Sequence, residues 1–146
     1  MKNLAIIVIF LSLFSSCSKD NEETPITTPD YLGKWTLIKM TGTMPNSKTI
    51  GEAMDWYEFY MFSNNGTFTK IRIQNKTQTT ASGTYTTKKI EDVEHLELTY
   101  SAESDIIGSC YGNLKEQLYF SNNNTLSSTW KNCDGPGLDY QKIVIY

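Results

Sequence analysis

An uncharged apolar run opens the chain. Lys2 precedes the segment Leu4–Phe14, whose eleven residues carry no charge. A membrane-spanning helix needs about twenty apolar residues, so this run is too short to remain as an anchor. A basic start followed by a short apolar middle is typical of a secretory signal peptide. The pattern therefore predicts that residues 1–16 are removed and contribute nothing to the fold.

The residues after the apolar run are almost all polar. The segment 18–30 contains four charged residues before Thr24, then Pro25 and Pro29, and offers little that could be buried. Such a composition predicts a flexible tether, which together with Cys17 covers residues 17–30. Thirteen extended residues reach about 40 Å, enough to hold a domain clear of a membrane.

Apolar and polar positions alternate over short segments throughout residues 31–146. Alternation with a period of two, interrupted by turns rich in Gly, Asn and Asp, is typical of antiparallel strands. The predicted strands are Gly33–Met40, Trp56–Ser63, Thr67–Ile73, Gly83–Lys89, His95–Ser101, Ile106–Tyr111, Lys115–Ser121, Thr125–Asn132 and Leu138–Tyr146. The connections at Gln74–Ser82, Ile90–Glu94 and Asn122–Asn124 are short and polar, so consecutive strands should pair.

The hairpin around Ser63–Thr67 can be predicted in more detail. A three-residue loop with Gly66 in the left-handed conformation pairs Glu58 with Arg72 and separates charged from apolar positions, whereas a two-residue loop mixes them. We therefore expect the three-residue loop. The predicted inward face consists of Tyr57, Phe59, Met61, Ile71 and Ile73, and the predicted outward face of Glu58, Tyr60, Lys70 and Arg72.

These strands predict one all-β domain over residues 31–146, because the segment is long enough for one core and too short for two. Eight or nine consecutive antiparallel strands usually close, since closure removes exposed edges. We predict a small antiparallel up-and-down β-barrel. A two-sheet β-sandwich is the alternative, although its connections would more often cross between sheets.

Composition supports the sheet and argues against nucleic acid. Nine Tyr, six Phe and three Trp favour strands over helices. Removal of Lys2, the only charged residue of the signal segment, changes the formal charge from −3 to −4. Because the basic residues are dispersed and Arg72 is the only arginine, we expect no nucleic-acid partner.

Cys110 and Cys133 are the only cysteines besides Cys17. An even pair in an exported protein is first interpreted as a disulfide, and the turn near Asn122 brings the two parts of the chain together. Such a bond stabilises a domain by roughly 3 kcal/mol. A redox or metal role is the alternative, but there is no Cys-x-x-Cys motif.

Catalysis finds little support in the sequence. His95 is the only histidine, and its alternation with Leu96 and Leu98 predicts that it faces solvent. No motif supplies it with a nucleophile or an acid partner. We therefore expect no catalytic residues, no metal and no cofactor.

The end of the signal segment, Leu13-Phe14-Ser15-Ser16-Cys17, resembles the lipobox of bacterial lipoproteins, although Phe14 replaces the usual leucine. The resemblance implies that Cys17 is lipidated and holds the protein on the outer membrane, at its periplasmic side or at the cell surface. The following Lys-Asp-Asn-Glu-Glu run is similar to the acidic export signal of Bacteroidetes-type surface lipoproteins. A solvated linker is the alternative interpretation of that run.

The start of the domain, Gly33-Lys34-Trp35, looks like the Gly-x-Trp opening of lipocalins and smaller bacterial lipocalin-like domains. The phrases Phe62–Phe68 and Ser82–Tyr85 are similar to those bacterial domains in order and spacing. In lipocalins the tryptophan packs across the closed end of the barrel, so the resemblance implies that role for Trp35. No arginine in the last strand covers it here, which departs from the lipocalin pattern.

Two functions follow from a barrel of this kind. The lipocalin resemblance implies a small hydrophobic ligand in a cavity lined by Tyr57, Phe59, Met61, Ile71, Tyr85, Leu98, Tyr100 and Phe120. The first connection would then supply a lid through Met44, Ile50 and Met54, or else be a packed surface loop. The alternative is a filled barrel that acts as a non-catalytic envelope interaction module. An exposed patch of Trp56, Tyr60, Phe62 and Phe68 would favour that alternative.

The lipobox makes a direct prediction about Cys17. In a bacterial host, Cys17→Ala removes the only acylation site of the motif, so the protein should move from the membrane fraction to the soluble fraction. The mass of the unsubstituted mature protein should include acyl chains on Cys17. A Cys110→Ala/Cys133→Ala variant is the control and should stay on the membrane. Membrane retention of Cys17→Ala without added acyl mass would contradict lipidation.

Overall fold

A computed structural model describes residues 30–110, 112–122 and 124–143. Within them lie nine strands and two short 3-10 helices, at Gly51–Ala53 and Thr129–Cys133. The strands are β1 Gly33–Thr41, β2 Lys48–Ile50, β3 Tyr57–Phe62, β4 Thr67–Gln74, β5 Thr77–Ile90, β6 Val93–Tyr100, β7 Lys115–Asn122, β8 Thr125–Ser128 and β9 Gly137–Lys142. No helix in the described part of the chain is long and apolar enough to cross a membrane.

The sheet is a closed antiparallel barrel. Strands β3 to β9 pair with their neighbours in sequence order, β1 pairs with β3, and β1 also pairs with β9 to close the cylinder. Eight strands form the barrel, and β2 adds a short extra strand beside the end of β1. The predicted up-and-down barrel is therefore confirmed, and the sandwich alternative is wrong.

Tight turns set the register of three hairpins. The β3–β4 loop has the predicted geometry: Gly66 has φ +79°, and Glu58 pairs with Arg72. Left-handed residues also occupy the two-residue turns at Asn75–Lys76 and Glu91–Asp92. Such turns match the twist of the flanking strands. Because the turn at Asn75–Lys76 is so short, β5 begins at Thr77, and the prediction of a connection through Ser82 is wrong.

The strands differ from the prediction at other places. The first connection contains β2, which was not predicted. The described part of the predicted strand Ile106–Tyr111 is a loop, and Tyr111 lies outside the described residues. The predicted strand Thr125–Asn132 ends at Ser128, where the Ser128 hydroxyl accepts a hydrogen bond from the Trp130 N–H and caps the second 3-10 helix.

The connection between β6 and β7 covers one end of the barrel. We call residues 101–110 the cap segment. Its Ile106 is 2% exposed and belongs to the core. Cys110 at the end of the segment is bonded to Cys133 in the second 3-10 helix, with a Cα–Cα distance of 5.4 Å. The predicted disulfide is therefore confirmed, and it ties the cap segment to the β8–β9 connection.

The opposite end of the barrel contains Trp35. Its side chain is buried, and the indole N–H donates to the Tyr31 carbonyl at 2.8 Å. Gly33 precedes it with φ +96°, a conformation that favours glycine. Lys142 of β9 reaches back to Asp30 at 2.6 Å, which fixes the entry of the chain into the barrel. The signal segment 1–16, Cys17 and the tether up to residue 29 lie outside the described residues.

Candidate functional site

The two faces of the β3–β4 hairpin are inverted relative to the prediction. Although the predicted register is correct, the inward residues are Glu58, Tyr60, Phe62, Phe68, Lys70 and Arg72. The predicted core residues Tyr57, Met61 and Ile73 are exposed, and Phe59 and Ile71 are half-buried on the same outer face. The prediction failed because it assigned the faces by hydrophobicity alone. Charged side chains can point inward here because other strands supply their partners.

Glu58 of β3 forms the first half of a buried ionic cluster. Its Oε2 atom accepts from Arg72 Nε at 2.5 Å. Its Oε1 atom accepts from the Tyr140 hydroxyl at 2.5 Å and lies 3.4 Å from Lys70 Nζ. The side chain of Glu58 is completely buried. Both oxygens of this carboxylate are therefore occupied by donors from β4 and β9.

Glu116 of β7 forms the second half. Lys70 Nζ lies 3.1 Å from each of its two carboxylate oxygens. The Tyr60 hydroxyl donates to Oε1 at 2.9 Å, and the Tyr100 hydroxyl donates to Oε2. Lys70 thus bridges two glutamates, and we call Glu58, Tyr60, Lys70, Arg72, Tyr100, Glu116 and Tyr140 the interior network.

The charges of the interior network balance. Two carboxylates face one ammonium and one guanidinium, and all four groups are more than nine-tenths buried. Burial raises the pKa of Tyr60, Tyr100 and Tyr140 well above the ordinary value, and the nearby glutamate charges raise it further. The phenols therefore remain neutral hydrogen-bond donors. A buried charge without a partner would be strongly unfavourable, so each member depends on the others.

Aromatic rings pack around this network. Tyr60 lies edge-on to Tyr140 with ring centroids 5.0 Å apart, and Phe68 lies edge-on to Tyr100 at 4.9 Å. Lys70 Nζ is 5.0 Å from the centre of the Tyr60 ring. These contacts fill the middle of the barrel with side chains.

The predicted ligand-lining residues divide between the two sides of the barrel wall. Tyr85, Leu98 and Tyr100 are buried inside, and Phe120 packs against the same core. Tyr57, Phe59, Met61 and Ile71 lie outside, so the structure does not bring the eight residues together. The lining prediction is wrong for those four because it followed the inverted assignment of faces.

The predicted lid also differs. Met44 is 75% exposed and Ile50 is 58% exposed, while Met54 packs against the core. The first connection instead forms β2 and a 3-10 helix, which favours the packed surface loop over a lid. The core position at this end of the barrel is taken by Ile106 of the cap segment.

The outer face of the hairpin is the second feature of interest. We define the β3–β4 outer face as Tyr57, Phe59, Met61, Ile71 and Ile73. Cross-strand pairs join Tyr57 to Ile73 and Phe59 to Ile71, so the side chains are contiguous. Lys34 of β1 places its ammonium 4.1 Å from the centre of the Phe59 ring. Contiguous exposed apolar surface is typical of interaction sites.

The sequence contained one signal for the interior network that the prediction did not use. Glu116 alternates with the apolar residues Leu118 and Phe120 along β7, so all three belong to the same face of the strand. A carboxylate on an apolar face requires a buried cation, and Lys70 and Arg72 were the available basic residues of the hairpin. The hydrogen bond from Tyr140 to Glu58, by contrast, forms only because the barrel closes and brings β9 near β3.

The described residues offer little acid–base or metal chemistry. Both network carboxylates are occupied by donors, and His95 lies on the outer side, with Nδ1 3.1 Å from the Val93 carbonyl and its ring against Tyr119. No group of three His, Cys, Asp or Glu side chains in the described ranges could hold a metal.

Comparisons with known proteins do not assign the chain. No model of a known protein family matches it, and no curated protein is a significant match in sequence.

The interior network predicts that a single substitution of Lys70 lowers the free energy of unfolding strongly. Lys70→Met leaves two buried carboxylates with one cation between them, so it should lower the free energy of unfolding by about 3–5 kcal/mol. Glu97→Gln removes an ion pair with Lys115 on the outer surface and should cost less than about 1 kcal/mol. Urea unfolding of the disulfide-bonded protein measures both values.

A double variant separates charge imbalance from loss of packing. Lys70→Met/Glu116→Gln restores charge balance, so it should be more stable than Lys70→Met alone. If Lys70→Met cost no more than Glu97→Gln, the ionic cluster could not be buried as described.

Proposed function

We propose that the chain is a lipid-anchored, non-catalytic accessory protein of the bacterial outer membrane whose barrel is filled and whose outer surface binds a protein partner. The patch expected from Trp56, Tyr60, Phe62 and Phe68 does not form, because Trp56 is half-buried and the other three are buried. The observation that carries this proposal is instead the orientation of the β3–β4 hairpin. Its charged residues point inward and its apolar residues point outward. A hairpin oriented in this way places its recognition surface outside the barrel.

The interior network argues against a hydrophobic ligand in the middle of the barrel. A ligand there would have to displace side chains that satisfy buried charges, which would leave carboxylates or cations unpaired. The buried phenols of Tyr60, Tyr100 and Tyr140 also converge on those carboxylates. The interior therefore supports the fold better than it supports a cavity for an apolar molecule.

The β3–β4 outer face supports binding of a protein. Tyr57 and Met61 are 40% and 41% exposed, and their cross-strand neighbours on β4 are Ile73 and Thr69. Aromatic residues and methionine are enriched in protein interfaces because they supply large contact areas. Lys34 beside Phe59 adds a positive charge at the rim. We expect the partner to present an apolar surface with an acidic group near Lys34.

The lipid anchor and the lipocalin relationship belong to the same proposal. The lipobox resemblance supports acylation of Cys17. The closed barrel, in which Trp35 is buried near the start of β1, is compatible with a lipocalin-like domain. A tether of about 40 Å would let the domain turn its outer face toward a neighbour in the envelope.

A small hydrophobic ligand, as in lipocalins, remains the second candidate function. It is favoured by the position of half of the predicted lining residues, which face the interior of the barrel: Tyr85, Leu98, Tyr100 and Phe120. A stoichiometric apolar molecule retained by the purified protein in native mass spectrometry would support this candidate over the filled barrel.

Site-specific crosslinking in cells tests the proposed docking face. A photoreactive amino acid replaces Met61 on the β3–β4 outer face, or Thr86 on the outer side of β5 as the matched control. Irradiation of cells that produce the full chain should give one defined protein adduct from position 61 and none from position 86. In a further chain the photoreactive amino acid replaces Tyr57. Adding Met61→Glu to that chain should abolish the adduct, because it places a charge on the β3–β4 outer face. Equal adducts at both positions, or none at position 61, would contradict the proposal.

A further inference from the structure

A polar pocket of about 220 Å³ lies at the capped end of the barrel, apart from the β3–β4 outer face. Its walls come from the end of β4, the start of β5 and the cap segment. The lining residues are Arg72, Gln74, Asn75, Thr77, Thr79, Asp105 and Ile106. A pocket of this size suits a compact polar ligand.

Arg72 brings unused donors to this pocket. Its Nε atom is bonded to Glu58, and its only other hydrogen bond among the described residues is a long one, 3.5 Å from Nη2 to the Ile106 carbonyl. A guanidinium has five N–H donors, so most of its Nη donors have no protein partner in the described ranges. The residue is 7% exposed and its guanidinium carbon lies 4.1 Å from the Trp56 ring centre. The group is therefore held in place with free donors at the pocket.

Asp105 supplies the opposite charge. It precedes Ile106, whose carbonyl contacts Arg72, so the cap segment brings this carboxylate to the same pocket. Asp105 is exposed and has no ion-pair partner in the described part of the chain. The other polar groups that line the pocket are the amides of Gln74 and Asn75 and the hydroxyls of Thr77 and Thr79.

We propose that this pocket binds a free α-amino acid in its zwitterionic form. The ligand carboxylate would accept from the free Nη donors of Arg72, and its ammonium would face Asp105. A simple anion fits less well, because Glu58 already balances the charge of Arg72 and Asp105 would repel it. A zwitterion adds no net charge and pairs both groups. This inference goes beyond the accessory function and does not depend on it.

Titration with alanine and with propionate tests the proposal. Propionate provides the carboxylate without the ammonium. The ¹⁵N NMR spectrum of the mature protein is recorded during each titration. Alanine should change the chemical shifts of the Thr77 and Thr79 amides and of the Trp56 indole saturably, and propionate should bind more weakly. Asp105→Asn should weaken alanine binding by at least about threefold, the size of a solvent-accessible ion pair, and should strengthen or leave unchanged propionate binding.

Glu103→Gln is the matched control. It removes the same charge from the same exposed segment, but Glu103 does not line this pocket. It should leave alanine binding unchanged. Three results would overturn the proposal: no saturable shift with alanine, equal effects of Asp105→Asn and Glu103→Gln on alanine, or tighter binding of propionate than of alanine to the unsubstituted protein.

Discussion

Lys70 is the residue on which the interior depends. Its ammonium lies between Glu58 and Glu116, at 3.4 Å and 3.1 Å, and all three side chains are completely buried. Burying three charges is costly unless every one is paired and hydrogen-bonded. The three phenols and Arg72 supply the remaining hydrogen bonds. Burial keeps those phenols neutral, so the donors are present without adding charge.

This constraint connects the wall of the barrel to its centre. The network draws side chains from β3, β4, β6, β7 and β9, and it therefore joins the β3–β4 hairpin to strands much later in the chain. It also fixes which face of the β3–β4 hairpin points inward, because only one orientation satisfies the buried charges. The apolar residues of that hairpin are consequently placed on the outside. The apolar β3–β4 outer face and the filled interior are therefore two results of one arrangement.

The sequence predicted much of the fold, and it did so where the signals were local. Turn residues such as Gly66 determined the β3–β4 register, and alternation located most strands. The inward direction of Lys70 could not be found locally, because its partner Glu116 is 46 residues away. The strand predicted from Ile106 is a loop. Ile106 is apolar because it fills the end of the barrel, and the sequence alone does not distinguish that role from a place in a strand. The pocket beside Arg72 also depends on a long-range contact, because Ile106 of the cap segment is 34 residues away from Arg72 in the sequence.

Thiol labelling of adjacent positions on β3 tests the orientation of the hairpin most directly. Met61→Cys and Phe62→Cys are each made in a chain that carries Cys17→Ala, where the bonded pair Cys110–Cys133 does not react. Met61 is 41% exposed and Phe62 is 3% exposed, so the account predicts rapid labelling at position 61 and labelling at position 62 only after unfolding. Rapid labelling at position 62 with protection at position 61 would contradict the inward-facing charges and everything inferred from them.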